Sequence, residues 1–167
     1  MKDKLKFICD GANTRRYHTV PTLMTETVGH HSHGVAMIAH ILMREHPLNT
    51  YNPLVIDAAL LHDLAEHQIG DVPSPSKREF GIADQINALE ERLMRSSGFP
   101  IPALSTQDER ILKLADIAQG ALFCVQEMEM GNRKMKAVFD RYISYAEQLI
   151  LSGVEKQLFD SIKEMAK

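Results

Sequence analysis

The 167-residue chain has no tryptophan, two cysteines and no histidine beyond His67. Each shortage excludes something. Cys9 and Cys124 are too few for a disulfide framework and match no paired zinc-ligand spacing, so a reducing, cytoplasmic setting is expected. The longest uninterrupted apolar runs, Val35 to Ala39 and Ala121 to Val125, are five residues each, far below the ~20 needed to cross a bilayer. Lysines at 2, 4 and 6 precede only a short apolar stretch, Leu5 with Phe7 to Cys9, which is too weak for the core of a secretion signal. A net charge of −3, from 19 basic and 22 acidic residues, provides no global field for a nucleic-acid polymer or an anionic membrane. Phosphate recognition would have to be local. The length fits one domain, residues 1–167, with one sizeable core.

Strand signals are also scarce, because apolar and polar residues never alternate for long and β-branched residues do not cluster. Helical periodicity takes their place. The sequence predicts a short helix over about 2–9, ending at Asp10-Gly11, and then an irregular arm, 13–25, carrying Arg15, Arg16, Tyr17, His18 and Pro21. A helix over 27–45 follows, with His31, Val35, Ile38 and Leu42 on one face, and Pro47 and Asn49 are expected to break it. The next, 53–68, starts on a first-turn proline and ends at Gly70, its inner face carrying Val55, Ala59, His62 and Glu66. A polar loop, 70–77, contains Pro73 and Pro75. Helices are then predicted over 82–95, 106–130, 133–151 and after Gly153, with a broken connection at 96–105. There is no internal repeat. The expected fold class is all-α, a bundle of about six or seven helices.

All eight histidines lie between His18 and His67. A lone histidine on a helix is more often packed or solvated than functional, and His18, His40 and His46 carry no pattern beyond that. His62-Asp63 differs, because it follows the apolar run Ala58-Ala59-Leu60-Leu61, where two adjacent polar groups cost several kcal/mol unless satisfied. A divalent metal satisfies both, since imidazole nitrogen and carboxylate oxygen suit first-row ions. His31 shares a face with core residues, while His30 and His33 diverge from it. Asp116 sits mid-helix between apolar neighbours, which rules out capping. Three helices would each contribute to one metal site.

His31, His62-Asp63 and Asp116 together resemble the H, HD, D signature of the HD-domain metal-dependent phosphohydrolases, an all-helical superfamily, over nearly the whole chain. The stretches Glu26 to Ser32 with Val35-Ala36, His62 to Glu66, and Gly70 to Lys77 resemble its 5′-deoxynucleotidase branch. The short length and the arm Arg16-Tyr17-His18-Thr19 are similar to small phage enzymes that hydrolyse dATP where 2-aminoadenine replaces adenine in viral DNA. The resemblance implies an HD-domain helical bundle with His31, His62, Asp63 and Asp116 as metal ligands. It also implies functional roles for Arg16, Glu66, Asp71 and Lys77. The residue before the first metal histidine is often acidic in these families and here is His30, which leaves a partner of the ligand unassigned. A homo-oligomer is implied, a dimer in one branch and a hexamer in the other, in the host cytoplasm for a viral protein.

Cleavage at the phosphorus attached to O5′ needs activated water, neutralised phosphoryl oxygens and a proton for the leaving alkoxide. The metal covers the first requirement: Mn²⁺, Co²⁺, Ni²⁺, Fe²⁺ or Zn²⁺ all suit the donors, with a second, Mg²⁺-type ion on the phosphates as a further option. Glu66, four residues after His62, is the expected proton-transfer group, with Asp71 orienting the water or the glutamate. Arg16 and Lys77 are expected on phosphate oxygens, joined by Lys113, three residues before Asp116. Tyr17 is a candidate for packing on the base, although an aromatic there is more often core. Arg15, Arg78 and Lys136 read as solvent-facing, and Leu122, Val125, Met128 and Phe139 as core or subunit interface. The expected reaction is dATP to deoxyadenosine plus triphosphate. A 5′-deoxynucleotidase acting on deoxynucleoside monophosphates is the alternative, and a catalytically silent nucleotide-binding module is a third reading.

Overall fold

A computed structural model of the chain describes residues 1–46, 51–149, 151 and 153–167. Nine α-helices and one short 3-10 turn lie among the described residues: α1 (Lys2–Ala12), α2 (Val28–Glu45), α3 (Pro53–Leu61), α4 (Glu66–Ile69), α5 (Ser74–Glu79), α6 (Ala83–Ser96), α7 (Thr106–Glu129), the 3-10 turn (Arg133–Met135), α8 (Lys136–Glu147) and α9 (Gly153–Met165). The seven expected helices are all present. The breaks expected at Pro47 and Asn49 lie outside the described residues.

Helix starts follow capping chemistry. Thr27 accepts from His30 N at the head of α2, Asn52 accepts from Leu54 N ahead of Pro53 in α3, and Ser105 accepts from Asp108 N in α7, each satisfying an otherwise orphaned amide. Helix α7 is the central element, packed against α2, α3, α8 and α9. Its buried face of Ile111, Leu114, Ala115, Ala118, Ala121 and Val125 meets Val35, Ala39 and Leu42 of α2 in the main core. Val125 and Phe139 are buried there, and Leu122 and Met128 pack against it. A smaller cluster of Phe7, Leu64, Ala65 and Met94 joins α1 and α6 to the turn after α3.

Four local expectations need correction. The helix expected over 53–68 is interrupted: α3 stops at Leu61, Leu64 N bonds Leu61 O at 3.1 Å and Glu66 N bonds Asp63 O at 3.0 Å. These i to i−3 bonds tighten the chain, so His62 and Glu66 are not brought together by helical spacing. The polar loop 70–77 contains the short helix α5, and the helix expected over 133–151 begins as a 3-10 turn and ends at Glu147. Helix α1 runs past Asp10-Gly11 to Ala12, and Gly11 lets it pack closely on Leu64, whose Cδ1 would lie 2.5 Å from a Cβ there.

The arm between α1 and α2 is irregular but anchored at both ends. Arg16 N bonds Glu26 O at 3.0 Å and Val28 N bonds Thr14 O at 2.9 Å, around an isolated bridge between Arg15 and Thr27. Further along, the fully buried Glu127 of α7 accepts from Leu23 N at 2.8 Å, Met24 N at 2.6 Å and Asn132 Nδ2 at 2.6 Å.

Candidate functional site

Helix α2 delivers His31, the turn after α3 delivers His62 and Asp63, and α7 delivers Asp116 and Gln119. The Nε2 atoms of His31 and His62 lie 3.2 Å apart. Asp63 Oδ2 is 3.5 Å from His31 Nε2 and 3.4 Å from His62 Nε2. These three side chains form a group able to hold a metal ion. Asp116 joins it through His31, its Oδ1 lying 3.3 Å from His31 Nε2.

Hydrogen bonds on the far side of each ring determine what the convergent atoms offer. His62 Nδ1 faces the carbonyl of Ala59 at 2.8 Å, and a carbonyl only accepts, so Nδ1 carries the hydrogen. His31 Nδ1 likewise faces Gln119 Oε1. In the neutral rings both Nε2 atoms then present lone pairs. Two lone pairs and a carboxylate pointing at one another repel unless a cation lies between them, so the donor set fits a first-row divalent ion.

Charge around this group is strongly organised. Arg16, 9% exposed, donates from Nη1 to Asp63 Oδ2 at 2.5 Å, and its Nε lies 3.4 Å from Glu26 Oε2. Burial opposes the guanidinium charge, but Asp63 and further neighbours hold its pKa well above the usual value. Burial raises the Asp63 carboxyl, yet His62, Arg16 and His31 bring it below its ordinary range. Asp116 is lower still: burial pushes it up, and Lys113, whose Nζ donates to Asp116 Oδ2 at 3.0 Å, together with His31 more than offsets that. Glu66 goes the other way. Burial, then the charges of Asp63 and Asp71, push its carboxyl up to about 9, so it is an acid at neutral pH.

Among the described residues four buried side-chain polar atoms lack a hydrogen-bond partner, and Arg16 Nε, Glu26 Oε2 and Glu66 Oε2 are three of them. Their concentration around one group is what a ligand site leaves behind. Glu66 also lines an open cleft of about 520 Å³ with Asp10, Asn13, Thr14, His67 and Gly70.

The remaining expected residues are placed as follows. Asp71 Oδ2 accepts from Tyr17 N at 3.3 Å. Tyr17 stacks on Phe123 at 4.8 Å and shares a 2.9 Å hydrogen bond with Tyr142 Oη, so its ring is engaged inside the protein. Tyr17 has φ 54°, the left-handed conformation that a bulky residue adopts only under constraint from its surroundings. Lys77 pairs with Glu90 at 3.2 Å. Lys113 lies 5.5 Å from the Tyr145 ring centroid and Arg78 approaches the same ring to 4.9 Å. Arg78 and Arg15 are exposed, and Lys136 is exposed beside Asp140. His30 and His33 are exposed, whereas His67 donates to Leu64 O at 3.0 Å with its ring edge on Phe7. Sequence reasoning missed Glu26, Gln119 and Tyr142. Glu26 begins the motif stretch 26–32 but has no role legible there, and Gln119, three residues after Asp116, shares its helical face.

Comparison with known proteins yields a consistent set of matches. Residues 5–160 match the sequence model of the YfbR-like 5′-deoxynucleotidase family. The 5′-deoxynucleotidase YfbR of Shigella boydii serotype 18 is 28% identical over 138 residues, covering 71% of this chain and 69% of its own. An HD-domain phosphohydrolase from Listeria innocua superposes with a TM-score of 0.73 at 20% identity, over 98% of both chains. The cyanophage S-2L HD phosphohydrolase DatZ, bound to dA and one catalytic Zn²⁺ ion, superposes with a TM-score of 0.66 at 16% identity, over 96% of this chain and 95% of that one.

Proposed function

Because the chain belongs to the YfbR-like 5′-deoxynucleotidase family of HD-domain phosphohydrolases, we propose that it hydrolyses the bond between phosphorus and O5′ of 2′-deoxynucleotides, dATP being the preferred substrate and deoxyadenosine and triphosphate the products. The observation that carries this reading is the convergence of His31, His62 and Asp63 on one point, with the buried Glu66 carboxyl, whose pKa burial raises, within reach of the Asp63 charge. That the cyanophage neighbour is bound to dA and a Zn²⁺ ion supports a transition ion and a deoxyadenosine product here. Removal of dATP in a 2-aminoadenine phage system would follow from that substrate. The exposed apolar residues Met37 and Ile41 of α2 with Leu54 and Leu60 of α3 support a homo-oligomer.

His31, His62, Asp63 and Asp116 would hold the ion. When bound, such an ion polarises a phosphoryl oxygen and acidifies water. The chain supplies everything else. Glu66 holds a proton at its carboxyl and releases it to O5′ as the bond to phosphorus breaks, which spares the leaving alkoxide its full charge. Asp71 maintains that proton by adding negative charge beside Glu66 and fixes the arm through Tyr17 N. Arg16 presents a buried guanidinium to phosphoryl oxygens, and its desolvated Nε, 3.4 Å from Glu26 Oε2, makes no hydrogen bond. Lys77, Arg78 and Lys113 add positive charge for a polyphosphate tail.

A 5′-nucleotidase acting on deoxynucleoside monophosphates is the second reading, favoured by the engagement of Lys77 with Glu90 and Lys113 with Asp116, which occupies two of the tail's cations. Incubating metal-loaded protein with dATP and with dAMP, and resolving products by chromatography, separates the two. Deoxyadenosine and triphosphate are expected from dATP. Turnover of dAMP alone overturns the dATP reading, and turnover that survives both chelation and Asp63→Ala overturns metal-dependent hydrolysis at this site.

A further inference from the structure

Five side chains close a ring around the convergent donors. His31 Nδ1 donates to Gln119 Oε1, Gln119 Nε2 donates to Glu26 Oε1 at 2.7 Å, and Glu26 Oε2 faces Arg16 Nε at 3.4 Å. Arg16 Nη1 donates to Asp63 Oδ2 at 2.5 Å, and Asp63 Oδ2 returns to His31 Nε2 at 3.5 Å. From His31 to Glu26 the donor sense is fixed, and Arg16, which only donates, faces both carboxylates. A carboxylate only accepts, so Glu26 compels the amide of Gln119 to turn its NH₂ toward it and its oxygen toward His31. That oxygen in turn compels His31 to carry its hydrogen on Nδ1. The reverse arrangement would put an NH₂ against Nδ1, move the ring hydrogen to Nε2 and aim it at His62 Nε2, abolishing the lone pair.

We infer that Gln119 and Glu26 are positioning residues for the metal ligand His31: Gln119 selects the His31 tautomer whose Nε2 can coordinate, and Glu26 sets the orientation of Gln119. His31 is fully buried and Glu26 is 4% exposed, so water is not at hand to replace either partner. Helix packing shows the same commitment. Gly34 of α2 lies against Gln119, where a Cβ would approach Gln119 Cγ to 2.7 Å, so the side chain reaches His31 only because α2 has no side chain at that point. Glu26 also holds the Arg16 backbone through Arg16 N, which places its carboxylate between the two ligand supports, Gln119 behind His31 and Arg16 behind Asp63.

The inference rests on the metal site of the proposed function, and its tests need no nucleotide, so its failure and a failure to hydrolyse dATP are separable. In metal-free wild-type protein at about pH 8, long-range ¹H–¹⁵N correlation is expected to show His31 protonated at Nδ1; a bare Nδ1, with the hydrogen on Nε2 instead, overturns the inference. This readout stands even if the variants fold poorly. Gln119→Leu is expected to weaken divalent-ion binding about 10–100-fold by isothermal calorimetry, and a dissociation constant within about twofold of wild type overturns the inference. Gln119→Glu sets two carboxylates against each other and is expected to weaken binding as well. Adding Glu26→Gln to that variant exchanges acceptor and donor, so that the carboxylate now at position 119 accepts both from His31 Nδ1 and from the amide now at position 26, and is expected to recover most of the loss. A double variant no better than Gln119→Glu alone overturns the order of the chain.

Discussion

Glu66→Gln in metal-free protein isolates the cost of burying a single carboxyl. The wild-type side chain is 4% exposed with one oxygen unpartnered, and burial with the charges of Asp63 and Asp71 raises its pKa from 4.5 to about 9. Between those values the folded protein retains a proton that the unfolded chain has released. Stability is therefore complete below the unfolded value, falls as pH rises, and stops falling only above the folded one. The slope is about 1.4 kcal/mol per pH unit, which makes the loss about 3 kcal/mol at pH 7. Glutamine has the shape of the protonated acid and does not ionise, so its curve lacks this slope. The assay is urea unfolding of both proteins in chelator at several points between about pH 5 and pH 8. The advantage of glutamine is expected to widen by about 1.4 kcal/mol per pH unit. A gap constant to within about 0.5 kcal/mol across the range would show that Glu66 ionises as an ordinary carboxylate and refute its role as a neutral acid.

Two further substitutions test the supports of the site. Glu127→Ala strands the amides of Leu23 and Met24 and the side chain of Asn132, and is expected to cost about 3 kcal/mol in urea unfolding and to expose the arm, 13–25, to limited proteolysis. Burial works against the Glu127 charge, but those three donors bring its pKa below 4.5, so its contribution is present above that pH and is lost on acidification; thermal melts of wild type and variant should converge in acid. Gly34→Ala forces a methyl against Gln119 and is expected to weaken metal binding about tenfold with little change in circular dichroism.

How much of this could be read from the sequence depended on the range of the interaction. Helical periodicity located every long helix, because it reports burial of one face against neighbours. His31 and Asp116 stood out because polar groups on apolar helix faces require partners. The interruption after Leu61 could not be seen, since a 3-10 turn and one more α-helical turn share almost the same spacing, and the backbone chose between them through packing of Leu64 and Ala65 onto Phe7 and Met94. Gln119 and Glu26 were unreadable for another reason. Their roles lie in contacts across 88 and 93 positions of chain, and no local pattern distinguishes a glutamine facing a buried histidine from one facing water. Tyr17 shows the same limit, since its stack on Phe123 and its hydrogen bond to Tyr142 also span more than a hundred positions of chain.

Glu127 also bears on the order in which the molecule can be assembled. The arm carrying Arg16 is tied to it through Leu23 and Met24, a separation of 104 and 103 residues, and the third donor, Asn132, lies beyond the end of α7. Closing so long a loop costs entropy before the contact repays it. A ribosome must therefore have delivered almost all of α7 before Leu23 and Met24 can find this acceptor, whereas the Arg16 end of the arm has local partners, Arg16 in Glu26 and Thr14 in Val28. A chain interrupted before Glu127 carries Arg16, His31, His62, Asp63 and Asp116 without the carboxylate that holds the arm at Leu23 and Met24.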